Sequence, residues 1–395
     1  MACIFCGSRA HDYRQCTIGY RTRIASTRPL TTGATDLAGQ APNVFIGKAG
    51  YPHVRAGILA TPHDDEHDAP AAWAAHGTPI PEIVRRRTEL VNSFTVADIK
   101  ARGRFTDLLC DVSLAKRSVD VELTLARPVV QRLTINEEAA PHGPNVSLTG
   151  GRITQNVPVD TRVDKAASAA DLTASDAIAR LARGGVDGYY LTKAFSMGNF
   201  GVAPERKLVP TRWSITAVDD IQAKELLVRV REARVGDCVA YSGGHLGNWY
   251  LLLCFDAPWQ YELVEQYIGA KGAQAWTDHE GHQGRHDYAS NTAGGYYAAR
   301  LPIVERFAGE NQQRAVLAIR IITDEYTTPL GVWVCREAVR KSLSATPLRF
   351  ADRSLMVQYA REFLKRSFGY DVGPVLARSV LLKDLFGQKR LNEYD

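Results

Sequence analysis

The fold class of this 395-residue chain is decided by two apolar stretches, Asn248-Trp249-Tyr250-Leu251-Leu252-Leu253-Cys254-Phe255-Asp256 and Ala315-Val316-Leu317-Ala318-Ile319-Arg320-Ile321-Ile322-Thr323. A strand with one face in water alternates polar with apolar residues, and neither stretch does so. Continuous apolar runs of this length are typical of strands buried on both faces. A shorter run over residues 226–230 has the same character, so we predict a third buried strand there.

Other segments predict half-buried strands and helices. Residues 119–125, Val-Asp-Val-Glu-Leu-Thr-Leu, alternate strictly and predict a strand with one buried face. Two further strands are predicted at 44–47 and 130–135, and a patternless surface loop at 61–79. Helical spacing of apolar residues predicts helices at residues 81–90, 174–184, 337–343 and 354–366. The mixture predicts a mixed α/β fold.

The length predicts a large body in two parts, because one core rarely serves so many residues. We place these parts at residues 43–160 and 161–380, with a linker at 17–42 and a tail at 381–395. The hydrophobic content of 45% and the charged content of 23% exclude wholesale disorder.

Charge and hydropathy indicate the kind of partner and the compartment. The net charge of +5 favours polyanionic partners only mildly. No window of about 18 uncharged apolar residues occurs, so no membrane span is predicted. The first residues, Met1-Ala2-Cys3-Ile4-Phe5-Cys6, have neither a basic leader nor an apolar core, so we expect a cytoplasmic protein.

A cluster of metal-ligand residues occupies residues 1–16. Cys3, Cys6, His11 and Cys16 have the spacing C-x2-C-x4-H-x4-C, and four such ligands close a tetrahedral zinc site. This is the spacing of a zinc knuckle, a module that binds single-stranded nucleic acid. The sequence therefore predicts a small zinc-binding module. Whether it contacts nucleic acid or only ties the amino terminus to the body stays open.

Several segments resemble a known family. Residues 206–220, Arg-Lys-Leu-Val-Pro-Thr-Arg-Trp-Ser-Ile-Thr-Ala-Val-Asp-Asp, are similar to the signature of the Nre family, which is implicated in DNA repair in archaea. Residues 44–52, 294–301 and 329–337 resemble further family blocks in the same order. The resemblance implies a nucleoid-associated DNA repair factor that binds damaged or branched DNA. Family members usually have a cysteine at the position of His11, and histidine ligates zinc equally well.

The resemblance also implies a sliding-clamp-binding peptide at the end of the chain. Gln388, Leu391 and Tyr394 match the family's pattern Gln-x-x-aliphatic-x-x-aromatic-aromatic, but Asp395 replaces the second aromatic residue. Loss of one anchor should weaken clamp binding, since a single anchor is worth ~2 kcal/mol or more. A frayed tail explains the same residues.

Seven residues are candidates for contact with nucleic acid. The arginine side chain can form paired hydrogen bonds with a phosphate, and aromatic rings stack on bases. The candidates are therefore Arg206, Lys207, Arg212, Trp213, Tyr296, Arg300 and Arg336. The alternative is that these residues are core and ion-pair residues.

The segment 278–288 is the densest cluster of titratable groups and supports a different class of function. Asp278, Glu280, His282 and Asp287 are candidate catalytic residues of a metal-dependent enzyme acting on nucleic acid or a nucleotide. A solvated loop is the alternative. A third possibility for the whole chain is an adaptor that holds other proteins together.

Overall fold

The computed structural model describes residues 33–63, 66–130, 142–268 and 275–387. The predicted zinc ligands, the predicted clamp-binding peptide and nearly all of the strand predicted at 130–135 lie outside these residues. The chain forms two compact units, Met1–Gln222 with Thr328–Leu330, and Ala223–Thr327 with Gly331–Asp395.

The first unit contains a closed five-stranded barrel. Its strands are β1 (Asp36–Ile46), β2 (His53–Thr61), β3 (Val91–Asp98), β4 (Val119–Leu125) and β5 (Asn145–Ile153). They are hydrogen-bonded in the order β1-β2-β3-β5-β4, and β4 closes the barrel against β1. Strands β3 and β5 run parallel, whereas the other neighbours are antiparallel. The strand predicted at 119–125 is confirmed, and its Val and Leu residues point into the barrel core.

Strand β1 pairs with β4 along its first part and with β2 along its second part, because its register shifts between the two. Residues 36–41 pair with β4 and residues 40–46 pair with β2, with a shift in register between Gln40 and Asn43. Gly39 lies next to this shift, and a Cβ there would stand 2.1 Å from the carbonyl oxygen of Thr61. The absence of a side chain therefore permits the close approach of the two backbones. The predicted linker at 17–42 is wrong for the described residues from Asp36 onward, since they form this strand.

Six helices lie wholly within the described part of the first unit: α1 (Pro70–His76), α2 (Ile80–Thr88), α3 (Arg104–Leu114), α4 (Thr161–Ser168), α5 (Ala174–Arg183) and α6 (Gly188–Ser196). Helix α3 connects β3 to β4 and packs Leu108, Leu109 and Val112 on the barrel core. The prediction of a patternless loop at 61–79 is wrong, because α1 lies there and its Trp73 is fully buried.

The boundary between the units falls at Gln222, not near residue 160 as predicted. Residues beyond 160 belong to the first unit because they are bonded to it. The Lys193 ammonium of α6 donates to the Ala115 carbonyl (2.8 Å), and Asn199 Nδ2 donates to Ser113 Oγ (2.7 Å). Such polar contacts leave no trace in sequence periodicity.

The second unit is built on a six-stranded mixed sheet. Its strands are β7 (Val239–His245), β8 (Asn248–Phe255), β9 (Gln260–Tyr267), β10 (Ala275–Glu280), β12 (Ala315–Ile322) and β13 (Leu348–Arg349), in the order β10-β9-β12-β8-β7-β13; β6 (Arg234–Val235) and β11 (Gln312–Gln313) form a separate pair. The predicted strands at 248–256 and 315–323 are confirmed as β8 and β12, and alternate residues of each pack into separate cores.

Helices cover both faces of this sheet: the end of α7 (Thr211–Glu232) that follows Gln222, α8 (Ala293–Glu310), α9 (Trp333–Leu343), α10 (Arg353–Phe368), α11 (Gly373–Leu376) and α12 (Val380–Gly387). The predicted helices at 337–343 and 354–366 are confirmed as parts of α9 and α10. The strand predicted at 226–230 is wrong, because these residues belong to α7. Leu227 and Val230 are buried on one side of that helix while Val228 is exposed, a pattern that a five-residue apolar run cannot reveal.

The prediction of a mixed α/β fold is confirmed. Within the described ranges, no helix has the length and apolar character needed to cross a membrane.

Candidate nucleic-acid interface

Two exposed aromatic rings meet at the turn between β1 and β2. The ring centroids of Tyr51 and Trp213 are 5.2 Å apart, and the two residues are 42% and 46% exposed. Lys48 in the same turn and Arg212 at the start of α7 are also exposed. We call Lys48, Tyr51, Arg212 and Trp213 the hairpin patch.

Backbone contacts hold the hairpin patch in place. The Ile46 backbone N–H donates to Thr211 Oγ1 (2.9 Å), which ties the end of β1 to the first residue of α7. The Ile99 N–H donates to the Pro52 carbonyl (3.0 Å), and the Leu208 N–H donates to the Ile99 carbonyl (2.7 Å). The rings therefore stand on ordered elements, which lowers the entropy cost of binding a ligand.

The outer face of β2 continues from the hairpin patch. Register places Phe45 of β1 and Phe94 of β3 on either side of Gly57 of β2, and places Arg55 of β2 opposite Val96 of β3. We call these five residues the strand face. Phe45 is 41% and Val96 61% exposed, and the Arg55 guanidinium carbon lies 4.8 Å from the centre of the Phe94 ring.

The charge around this part of the barrel is mainly positive. Lys100, Arg102 and Lys207 are exposed and lie along the segments that are bonded to the turn, and they add to the cations of the hairpin patch and strand face. Asp98 supplies a carboxylate here, and its Oδ2 lies 4.0 Å from His53 Nε2. Exposed cations beside exposed rings suit a polyanion that carries flat bases.

The residues predicted from the signature segment 206–220 have different roles. Lys207, Arg212 and Trp213 are exposed as a binding role requires. The Arg206 guanidinium instead donates to the carbonyl oxygens of Gly201 (2.7 Å), Ala167 (2.7 Å) and Ala169 (2.5 Å). The Arg206 guanidinium thus has its donors engaged inside the fold, and its contact with nucleic acid stays a prediction.

The predicted contact residues of the second unit are buried. Tyr296, Arg300 and Arg336 are at most 4% exposed. Arg300 Nη1 lies 2.5 Å from Glu280 Oε2, and the Tyr296 ring packs 4.9 Å from that of Tyr261. Burial raises the pKa of the Tyr296 hydroxyl well above its usual value. This burial favours the alternative that these three residues are core and ion-pair residues.

The candidate catalytic carboxylates are already occupied by partners in the fold. Asp278 Oδ2 accepts hydrogen bonds from the Thr292 backbone N–H (2.7 Å) and Thr292 Oγ1 (2.9 Å), and Asp278 Oδ1 lies 3.2 Å from Arg285 Nη1. Glu280 Oε1 accepts from Trp259 Nε1 (3.0 Å). Both carboxylates therefore stabilise the attachment of β10 to α8.

The remaining candidates, His282 and Asp287, do not complete a site. His282 is half-buried and Asp287 is exposed in the segment that follows β10. Across the described ranges, which include 278–288, no three His, Cys, Asp or Glu side chains are grouped so that they could hold a metal ion.

The sequence predictions missed Phe45, Tyr51, Lys48, Arg55 and Phe94. Three of them, Phe45, Lys48 and Tyr51, lie within the segment 44–52 that resembles the family, and only the folded barrel shows that their side chains are exposed. The signal that was available is the placement of Lys48 and Tyr51 in a glycine-containing turn between two strands.

A closed barrel with the strand order β1-β2-β3-β5-β4, and with a helix between β3 and β4, thus carries the hairpin patch and the strand face. The chain also matches the family models described as archaeal Nre, N-terminal, over residues 11–272, and archaeal Nre, C-terminal, over residues 280–394. It therefore belongs to the archaeal Nre family, as the sequence resemblance predicts.

Relatives of known name agree with this assignment. The chain is 34% identical to the DNA repair protein NreA of Haloferax volcanii over 332 residues, covering 78% of each chain. It is 32% identical to NreA of Archaeoglobus fulgidus over 317 residues, covering 78% of this chain and 79% of the relative. It is 28% identical to the DNA repair protein NreB of Archaeoglobus fulgidus over 395 residues, covering 97% of each. No solved structure matches the chain.

Proposed function

We propose that this chain is a DNA repair factor that binds DNA through the hairpin patch. The names of its relatives support a role in DNA repair. The observation that carries DNA binding is the contact of the exposed Tyr51 and Trp213 rings beside Lys48 and Arg212.

The physical reason lies in the chemistry of these four side chains. Stacking of a base on an exposed aromatic ring contributes about 1–3 kcal/mol. Each cation that neutralises a phosphate releases a counterion and adds affinity that declines with salt. Without a ligand, both rings expose apolar surface to water, which is unfavourable. A polyanion whose bases cover the two rings and whose phosphates pair with Lys48 and Arg212 would remove this cost.

The test is fluorescence anisotropy with labelled single-stranded, duplex and forked DNA. We expect the Trp213→Ala and Tyr51→Ala variants to bind at least about fivefold more weakly than the intact chain, as loss of one stacking ring implies. Trp249→Ala is the matched control, since Trp249 is an exposed tryptophan of the second unit. Equal affinity of all four proteins would remove the hairpin patch from the binding site.

We further propose that Cys3, Cys6, His11 and Cys16 hold one zinc ion. The donor set of three thiolates and one imidazole is a complete structural zinc shell. Purified protein is expected to carry one zinc per chain, and the Cys6→Ser, His11→Ala double variant to carry none. If the variant binds DNA about tenfold or more weakly than the intact chain, the zinc module contacts nucleic acid. If the two proteins bind DNA equally well, the module only ties the amino terminus to the body. Zinc at the same level in both proteins would refute the assignment.

Recruitment by a sliding clamp is proposed for Gln388, Leu391 and Tyr394. The experiment is titration of the chain with a purified archaeal clamp, using Tyr394→Ala to remove one anchor and Asp395→Phe to supply the missing aromatic residue. We expect weaker binding for the first variant and tighter binding for the second, each by about tenfold or more. Identical binding of all three proteins would exclude the peptide.

No second function is put forward for residues 278–288, because Asp278 and Glu280 are engaged by Thr292, Arg285 and Arg300.

A further inference from the structure

We infer that an apolar cavity of the second unit is a binding site for the ring of Tyr394, which belongs to the chain's own peptide 388–395. While the ring is docked there, the peptide is withheld from a sliding clamp. Only this competition rests on the proposed clamp binding, whose regulation it names. The docking itself is argued from the geometry and charge of the second unit.

The cavity is apolar and has about the size of one aromatic ring. It lies between α10 and the strands β7, β8 and β12, and its volume is about 120 Å³. An apolar cavity of about 150 Å³ takes up benzene. Leu251, Ile321 and Leu364 form its inner wall and are each at most 1% exposed. A ring placed here would gain packing contacts with all three side chains.

Aromatic rings surround the exposed side of the cavity. Trp249 of β8 is 38% exposed, and Phe363 and Phe368 of α10 are half-buried. The ring centroids of Trp249 and Phe368 are 5.9 Å apart, and those of Phe363 and Phe368 are 6.3 Å apart. The Trp249 ring rests on Gly244, where a Cβ would stand 2.7 Å from the ring. A further ring that enters at this side can therefore pack against ordered aromatic neighbours.

Polar and charged groups beside the cavity define the side chain that fits it. Ser242 lines the cavity and is half-buried, so its hydroxyl can bond to the hydroxyl of a bound tyrosine. Arg361 and Lys365 are exposed and precede Leu364 and Phe368 by three residues each, which makes them neighbours of the cavity on the helix surface. Neither cation forms an ion pair with any residue that the structure describes, whereas Arg366 on the same helix lies 3.7 Å from Glu362.

The peptide 388–395 carries the matching chemistry. Tyr394 is its one aromatic residue and stands between Glu393 and Asp395, whereas the cations of the peptide stand nearer its other end. Docking of the tyrosine ring would bring these two carboxylates next to the two cations of α10. Opposite charges attract at this range, which favours Tyr394 as the occupant.

The peptide also begins within reach of the cavity. Leu385 of α12 and Leu251 of the cavity wall belong to one core, so α12 ends on the face of the sheet that carries the cavity. The Leu385 carbonyl accepts from Arg353 Nη1 (3.0 Å) at the start of α10, and the cavity lies at the end of that helix. This separation is about 16–22 Å along the helix. The seven residues from Gly387 to Tyr394 span up to about 25 Å when extended.

The experiment places a photoreactive ring in the full chain. Tyr394→p-azidophenylalanine keeps the aromatic ring, and illumination of dilute protein should cross-link it to peptides that contain Trp249, Phe363 or Phe368. Mass spectrometry of the digested monomer identifies the cross-linked peptides. Ser242→Phe fills the cavity and should abolish these cross-links. Trp276→Ala removes an exposed tryptophan of β10 and should leave them unchanged.

Titration with a purified archaeal clamp tests the competition in chains that keep Tyr394. Docking reduces the apparent clamp affinity by the fraction of chains whose peptide is free. We therefore expect Ser242→Phe and Trp249→Ala to bind the clamp about fivefold more tightly than the intact chain, and Trp276→Ala to bind it equally well. Trp249→Ala replaces Ser242→Phe in both measurements if thermal unfolding shows that the larger side chain disrupts the unit.

The outcomes separate the inference from the proposed clamp binding. Cavity cross-links that disappear in a folded cavity variant, together with tighter clamp binding, support the inference. Cavity cross-links without clamp binding by any of the proteins support the docking and overturn only the clamp recruitment. Cross-links elsewhere in the chain, or only between two copies, overturn the inference and leave clamp recruitment standing. Clamp binding that is equal for all the proteins overturns the competition.

Discussion

Arg300 Nη1 lies 2.5 Å from Glu280 Oε2, and the two side chains are 3% and 0% exposed. The sequence analysis made Arg300 a candidate contact for nucleic acid, with an ion pair as the alternative, and made Glu280 a candidate catalytic residue of a metal-dependent enzyme. The structure makes each the counter-charge of the other inside the second unit, where α8 packs on β10. A buried ion pair is sensitive to loss of one partner, because the remaining charge is left without compensation.

The Glu280→Gln variant tests this structural role. We expect the free energy of unfolding to fall by about 3–5 kcal/mol, since Arg300 would keep its buried charge without a carboxylate. Urea denaturation followed by tryptophan fluorescence measures the change. DNA affinity of the variant, measured where it is folded, should match that of the intact chain. A stable Glu280→Gln protein with weakened DNA binding would contradict a purely structural pair.

Arg206 and Arg212 are six residues apart in the sequence but should respond oppositely to substitution. Arg206→Ala leaves three carbonyl oxygens without their donor and should lower the free energy of unfolding by at least about 2 kcal/mol. Arg212→Ala removes an exposed side chain and should change stability by less than about 0.5 kcal/mol. Thermal unfolding and DNA anisotropy on both variants check this; equal stability losses would disprove the assignment.

Binding to DNA should weaken with salt in a way that counts the phosphate contacts. In a plot of log affinity against log salt, we expect the Arg212→Ala and Lys48→Ala slopes to be shallower by about 1 each than the slope of the intact chain. Arg349→Ala serves as the control, because Arg349 is an exposed arginine of the second unit. Parallel slopes for all four proteins would show that neither residue contacts a phosphate.

The stability of the first unit should depend on pH through Lys193. Burial lowers the pKa of the Lys193 ammonium from its ordinary 10.5 to about 8. Below pH 8, Lys193 is charged in both states, and folding includes the full cost of burying that charge. Between pH 8 and 10.5 the unfolded chain binds more protons than the folded one, so the free energy of unfolding rises with pH.

Lys193→Met isolates this contribution. The difference in unfolding free energy between the intact chain and the variant should shift by about 3 kcal/mol in favour of the intact chain across that window, which follows from ~1.4 kcal/mol per pKa unit. Urea denaturation at four pH values from 7.5 to 10.5 measures it. A constant difference across the window would show that Lys193 titrates normally.

The predictions from sequence succeeded for elements whose type follows from the periodicity of apolar residues within a single segment. The strands at 248–255, 315–322 and 119–125 and the helix at 174–183 need only local periodicity, and they lie where expected. Residues 226–230 failed because a short apolar run fits a helix side as well as a strand. The segment 61–79 failed because no periodicity marks the seven-residue helix α1 or the burial of its Trp73.

The sequence by itself determined the mixed α/β class, membership of the Nre family and the zinc-ligand spacing at the amino terminus, since each depends on residue identity and order along the chain. The tertiary structure alone decided which polar residues are accessible. Arg206, Arg300 and Arg336 have the same chemistry as Arg55 and Arg212, but the first three are engaged or buried within the fold and the last two are exposed. It also decided that Phe45 and Phe94, 49 residues apart in the numbering, flank one glycine. Strand register sets this proximity through hydrogen bonds between distant segments, and no local pattern encodes it.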